Sequence, residues 1–245
     1  MKYRWRAVNA HGLHSPFLFS FYKEVIKPAK HFQLDNVEQL RSALKANHEV
    51  IDLFDLKSQQ QYRRTISSIA KTSLSTKRFS AFLFKLIEWL KVTRVMETGT
   101  SLGINALYMA GPEKVKKLIT IEASPIIATI AKKQFNQLLQ HKIEIKQGAV
   151  QEILHATLVK EKPELCFIDA DHRSSVILEG IEMIMEQVPE IRCIVVHDIY
   201  WSPDMKEAWD TIIDDKRLTL TVDLFQAGII FPNLDMPNQH FIIRF

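Results

Sequence analysis

The chain has 245 residues and a mass of 28.4 kDa, with 47% hydrophobic and 24% charged residues, the composition of a globular protein with a sizeable core. That balance excludes a long disordered chain, a collagen-like fibre and a coiled-coil rod. The net charge of +4 is uneven: residues 1–95 carry 17 Lys and Arg against 7 Asp and Glu, and the remainder 15 against 21. Such asymmetry suits either a solvated helical face or a surface for nucleic acid or acidic lipid.

The first residues, MKYRWRAVNAHGLHSPF, contain no apolar core of the kind a signal peptide needs. His11 and His14 flank Gly12 there, and two histidines without a third ligand make no metal site. Ser15-Pro16 reads as a helix start. Residues 14–27, 36–46 and 58–73 read as helices. Leu74, Phe79, Phe82, Leu83, Leu86, Ile87 and Leu90 recur at helical spacing and make one broad apolar face.

The texture changes at Lys91, which divides the chain into a helical extension, 1–91, and a second unit, 92–245. Short apolar runs now alternate with helical segments: RVMET, LITIE, IEIKQ, ELCFIDA and CIVVHDI, each followed by a helix. Five strand–helix units in succession predict an α/β fold with a parallel sheet covered on both faces. The final runs, RLTLTVDLF, GIIF and QHFIIRF, are β-rich and separated by turn residues. They predict antiparallel pairing at one edge, without showing which run is the inserted strand. No apolar stretch reaches the length of a membrane span. Cys166 and Cys193 lie on buried strands, form no disulfide framework or CxxC pair, and suit a reducing, cytoplasmic setting.

Open parallel sheets bind ligands at the carboxyl ends of their strands. The polar residues there are Glu97, Glu122, Gly148, Asp169 and Asp198. Gly99 and Gly103 share one loop, METGTSLGINAL, directly after the first strand. A glycine in such a turn lets backbone approach a ligand, and the next helix offers N–H groups to an anion. Glu97 stands where a dinucleotide fingerprint has its first glycine. A carboxylate there repels pyrophosphate, which makes a dehydrogenase the least favoured reading, and suits a cationic or hydrogen-bond-donating ligand. Glu122 ends the next strand, 23 residues after Gly99, where an acid can accept both hydroxyls of a ribose.

At these residues the chain resembles a family. ETGTSLGINALYMA, TIEASP, QGAVQEIL, CFIDADHR and VVHDIYWSPDMKEAW are similar to the successive motifs of class I S-adenosylmethionine-dependent methyltransferases. Within them the sequence resembles the small-molecule O-methyltransferases of the catechol and caffeoyl-CoA kind. A bacterial subgroup with an HGxHSPF start is more similar still. The resemblance implies a Rossmann-like, seven-stranded, mostly parallel sheet and methyl transfer from S-adenosylmethionine to a small-molecule acceptor, on a hydroxyl oxygen. It implies that Glu97 faces the methionine ammonium, and that Gly99, Thr100, Ser101 and Gly103 line the methionine. Asn105 takes the place of a serine on the cofactor carboxylate. Glu122 takes the ribose hydroxyls with Ala123 beside the adenine, and Gly148 and Ala149 edge that ring. It also implies a lip over the cofactor at residues 72–79 and a homodimer.

Methyl transfer from a sulfonium needs alignment and a deprotonated nucleophile. Asp169, Asp171, His172, His197 and Asp198 follow two neighbouring strands. In the catechol-type relatives an Asp at the position of Asp169 and an Asp-Asn pair at 198–199 bind magnesium. Here the pair is Asp198-Ile199, so Asp169 and Asp198 alone would remain to hold a metal. His172 stands where those relatives carry a catalytic lysine, and reads as a general base, a positioning group or a bystander. His197 ends an apolar strand and reads as a core histidine. Asp198 is placed to orient His172, to bind metal or to cap the helix near Pro203. Trp201 and Trp209 either wall an acceptor pocket or pack a helix on the sheet. Two other readings stay open: an RNA or protein methyltransferase using the basic N-terminal segment, and a cofactor-binding scaffold without catalysis. Against RNA, no Asn-Pro-Pro-Tyr-type motif follows the fourth strand.

Overall fold

A computed structural model describes residues 15–55, 59–138 and 140–245. His11, His14 and Gly12 therefore lie outside the described residues. The chain enters through α1 (Pro16–Phe21), which continues as a wider turn over Tyr22–Ile26. Helix α2 (Asp35–Ala46) follows. Next comes an antiparallel hairpin, β1 (Val50–Asp55) and β2 (Gln60–Thr65), paired from Val50 opposite Thr65. The sequence reading had a helix over 58–73; the helical part, α3, spans only Ile66–Ser73. Residues 60–65 extend because β1 supplies a partner ladder, a non-local term that no local periodicity reports.

Helix α4 (Lys77–Leu90) carries the expected apolar face and buries Phe79, Phe82, Leu83, Leu86 and Ile87 completely. Thr76 caps its start by accepting the Phe79 N–H at 3.2 Å, so Leu74 precedes the helix. Lys91 ends it in the left-handed conformation, φ 54°.

Strands and helices then alternate: β3 (Arg94–Thr98), α5 (Ile104–Ala110), β4 (Lys117–Glu122), α6 (Pro125–Gln137), β5 (Ile143–Gln147), α7 (Val150–Glu161), β6 (Leu165–Ile168), α8 (Ser174–Gln187), β7 (Cys193–His197) and α9 (Pro203–Asp214). Three strands close the chain: β8 (Leu220–Asp223), β9 (Ala227–Phe231) and β10 (Gln239–Ile242). The sheet order is β10-β8-β9-β7-β6-β3-β4-β5. The run GIIF provides the inserted strand: β9 pairs antiparallel with both β7 and β8, and every other pairing is parallel. The sheet has eight strands, one more than the resemblance implies, because QHFI adds β10 beside β8.

Apolar residues fill both faces of the sheet. Val95, Leu118, Phe167 and Val195 face α4, α5 and the N-terminal elements, while Met96, Ile119, Cys166 and Ile194 face α7, α8 and α9. The order reverses at β3: β4 and β5 run out one way, β6 and β7 the other. That reversal opens a crevice at the carboxyl ends, where ligands bind in such sheets.

Trp209 lies wholly inside the second core and packs its ring on Gly228 of β9. A Cβ on Gly228 would fall 2.2 Å from that ring. Gly228→Ala should therefore lower stability by about 1–3 kcal/mol, the cost of overpacking. Urea unfolding measures this, and an unchanged midpoint would refute the contact.

Candidate active site

The site grows from the turn after β3. Gly99 has φ 89°, and a Cβ on it would lie 2.5 Å from the Asp169 carbonyl oxygen. Glycine there brings the exit loops of β3 and β6 into backbone contact. Asp169 N–H donates to the Thr98 carbonyl at 3.0 Å, and Gly99 N–H to the Ile121 carbonyl at 2.9 Å, which joins three strand ends. Gly103 has φ 83°, and its missing side chain leaves room for the Phe135 ring. Ser101, at φ 48°, takes the left-handed conformation despite its side chain.

Two carboxylates border this turn. Glu97 is buried, and its Oε2 accepts the Thr120 hydroxyl at 2.6 Å; the Thr100 and Thr120 hydroxyls are also 2.6 Å apart. Burial, against the Thr120 bond, pushes the Glu97 carboxyl well above its ordinary range, helped by the neighbouring charges of Asp169 and Glu122. Glu122 spans the loops after β3 and β4. Its Oε2 accepts the Ser101 N–H at 3.0 Å and its Oε1 the Ser124 N–H at 2.9 Å. Burial raises its pKa and outweighs those backbone donors. Gly148 N–H donates to the Glu122 carbonyl at 3.0 Å, which brings Gly148 and Ala149 to the same crevice.

Asn105 turns toward the N-terminal segment. Its Nδ2 donates to Ser75 Oγ at 2.9 Å and its Oδ1 accepts from Ser80 Oγ at 2.8 Å. Arg41, itself buried, donates to the Ser75 carbonyl at 2.5 Å and to Ser80 Oγ at 2.9 Å. The lip expected at 72–79 is thus tied to the first turn of α5.

On the other side of β3 the structure gathers Asp169, His172, His197 and Asp198. His197 Nδ1 lies 2.9 Å from Asp169 Oδ1 and 3.4 Å from Asp198 Oδ2. His172 Nε2 stands 4.0 Å from the same Asp198 Oδ2. His197 is buried, as a core histidine is, but its ring also joins two carboxylates, and its Nε2 has no partner among the described residues. Burial pulls the His197 pKa down, but Asp169 and Asp198 outweigh it and raise it to about 10. Burial raises the Asp198 carboxyl, and His197 and His172 more than offset that and hold it below its ordinary value. Asp198 does not cap α9; Ser202 does, accepting the Met205 N–H at 3.1 Å. Asp171 is turned away from this group, to Arg173 and to Gln151 Nε2 at 3.1 Å.

Aromatic side chains flank the cluster. Trp201 is 70% exposed, with its ring centroid 5.9 Å from that of His172. Trp209 takes the other expected role, helix packing. Sequence reasoning missed Tyr200 and Phe225, which stack at 5.3 Å beside Trp201 in the chain and at the β8–β9 turn. No local signal marks Phe225; the antiparallel insertion of β9 carries it to the site. The Gln226 carbonyl accepts the Asp198 N–H at 2.7 Å and fixes that turn against β7.

A magnesium ion, which the resemblance implies, needs mainly oxygen ligands. Asp169, His172 and Asp198 bring one ligand atom each within 4.8 Å of one another. Ile199, next after Asp198, packs as wholly buried hydrocarbon in the second core and offers no oxygen, and the His197 donor lies against the same carboxylates. These residues do not fit magnesium.

The O-methyltransferase family model matches residues 46–225, well over half of the chain. The chain belongs to the O-methyltransferase family, whose reaction class is methyl transfer to oxygen. Among solved structures it is similar to the SAH-bound methyltransferase PaMTH1 of Podospora anserina, at 14% identity and a TM-score of 0.64, covering 91% of this chain and 100% of that one. It is also similar to an O-methyltransferase of Bacillus cereus in complex with SAH, at 16% identity and a TM-score of 0.57, over 84% of this chain and 94% of that one. Cofactor-bound Rv0187 from MTB matches at 16% identity and a TM-score of 0.61, again over 84% and 94%. At such identities the likeness is one of fold. No curated protein matches the sequence. No helix among the described residues is long and apolar enough to cross a membrane.

The raised pKa of buried Glu97 has a pH signature. With its folded pKa raised above 4.5, its contribution is complete below that value and is lost as pH rises through the folded one. Glu97→Gln should flatten the decline of Tm as pH rises above 4.5, relative to wild type. Superimposable Tm–pH curves would contradict a raised pKa.

Proposed function

We propose that the protein transfers the methyl group of S-adenosylmethionine to a hydroxyl oxygen of a small molecule, without magnesium. The observation that carries this reading is the meeting of two desolvated carboxylates, Glu97 and Glu122, with the His172–Asp198 pair at one strand-end crevice. Each carboxylate is raised by burial, so each gains from a ligand that brings a cation or hydrogen-bond donors. An ammonium and a ribose diol answer those two needs, and the chemistry of the donor set therefore fits the cofactor. The SAH-bound and cofactor-bound neighbours support the same choice.

S-adenosylmethionine supplies an activated methyl group on its sulfonium. The chain's own residues bind and orient. Glu97 receives the ammonium and Glu122 the ribose hydroxyls. Gly99, Thr100, Ser101 and Gly103 line the methionine with backbone, and Ala123, Gly148 and Ala149 border the adenine. Asn105 keeps one amide N–H beyond its Ser75 bond, available to the cofactor carboxylate. Asp169 stands between the cofactor and acceptor ends of the crevice. His172 takes the proton from the acceptor hydroxyl at its Nε2, and Asp198 beside it steadies the resulting imidazolium. Trp201 and the Tyr200–Phe225 stack form an apolar rim that suits a flat acceptor and limits water. Among the described residues of the basic N-terminal segment, Arg41 pairs with Glu38, Arg63 with Asp52 and Lys85 with Glu88. The two buried free cysteines suit a cytoplasmic setting.

Glu122→Ala should weaken S-adenosylmethionine binding by about 1–3 kcal/mol, the loss of charged hydrogen bonds. Titration calorimetry decides it, and equal affinity in the variant sinks the ribose assignment. His172→Ala should slow turnover by about 10²–10⁴-fold, as loss of a general base does, with cofactor affinity unchanged. The check is release of S-adenosylhomocysteine against a panel of hydroxylated aromatic acceptors; undiminished kcat would remove His172 from proton transfer.

A further inference from the structure

Two carboxylates facing one another at a site's mouth repel unless a cation or a donor stands between them. Asp169 and Asp198 are such a pair, and His197 already lies between them, with Nδ1 2.9 Å from Asp169 Oδ1 and 3.4 Å from Asp198 Oδ2. The ring is held against displacement. Phe79 packs on it with centroids 4.6 Å apart, and Phe167 meets it edge-on at 6.0 Å. The ring sits on β7 with its backbone paired to Ala227 of β9, so the strand cannot shift it. Among the described residues the other titratable groups facing this cluster are His172, with Nε2 4.0 Å from Asp198 Oδ2, and Glu97, whose carboxyl feels the charge of Asp169. Ile199, next in the chain, offers no oxygen and is wholly buried.

We propose that His197 is a built-in substitute for a divalent cation: its Nδ1–H joins Asp169 to Asp198 in the place where a metal ion would sit, and so holds the acceptor end of the site without one. His197 is thus a positioning residue, acting through the two aspartates. The inference rests on the proposed methyl transfer only for what the acceptor end is for. Metal binding reads it without any turnover.

The test is a titration of chelator-treated protein with Mn²⁺, followed by its electron paramagnetic resonance signal, and with Mg²⁺ and Mn²⁺ by thermal unfolding. Wild type should show no saturable Mn²⁺ site and a Tm shift below about 1 °C. His197→Ala frees both carboxylates, and His197→Asn further brings an amide oxygen as a ligand. Each should bind Mn²⁺ at least about tenfold more tightly than wild type, which gains cation stabilisation of Tm. Adding Asp198→Asn should abolish that gain. A purely structural role for His197 predicts lower stability in the variants but no gained cation site. Saturable binding to wild type that Asp198→Asn removes would overturn the proposal, and so would folded variants with no gain. Should His197→Ala not fold, His197→Asn and the wild-type titration still decide. S-adenosylmethionine binding, measured on the same wild-type sample, tests the methyltransferase reading separately, so the two failures are distinguishable.

Discussion

The contact between Gly99 and the Asp169 carbonyl sets the geometry on which the site depends. Two adjacent parallel strands, β3 and β6, leave the sheet in opposite directions along the chain's winding, and their exit loops would ordinarily diverge. Without a Cβ at Gly99 they touch, at a distance no side chain allows. Asp169 is thereby aimed into the crevice rather than out to solvent. Its carboxylate then meets His197 from β7, and through His197 it meets Asp198. One turn conformation thus links the cofactor end, built on β3 and β4, to the acceptor end, built on β6 and β7.

Electrostatics explains why this arrangement persists. Four acidic residues at strand ends converge, and convergence of like charge is costly in a partly buried crevice. The fold answers each in a different way. Glu97 takes a hydroxyl donor, Glu122 takes backbone N–H groups, and Asp169 and Asp198 share an imidazole. The first two answers leave capacity for a ligand; the third sets an imidazole against the oxygens that a metal ion would need.

The N-terminal elements belong to this chemistry through Arg41. Its guanidinium meets Glu38, Ser75 and Ser80, and Ser80 continues to Asn105 at the start of α5. Tyr108, on the same helix, donates to Glu38 at 2.8 Å and accepts the Leu34 N–H at 3.2 Å. A shift of α2 is therefore felt at the turn that follows the glycine loop. The apolar face of α4 adds a second link, because Phe79 packs on His197 itself.

Periodicity and motif spacing determined the broad outcome: the alternating strands and helices from Lys91 onward, the helix of 36–46, the apolar face of the helix Lys77–Leu90, and the glycine turn with its flanking acids. These are local properties, written in side-chain period and in residues that only certain turns accept. The β1–β2 hairpin, the choice of GIIF as the inserted strand and the eighth strand were not legible, because each depends on a partner distant in sequence. His197 illustrates the limit most clearly. As a residue at the end of an apolar run it reads as core, and burial agrees. Only the tertiary structure places two carboxylates around its Nδ1, since those come from separate strand ends brought together by the sheet. Sequence alone determined which chemical groups stand at the strand ends; the packing of β3, β6, β7 and β9 decided which of them touch, because that is set by backbone approach between strands and not by any neighbour along the chain.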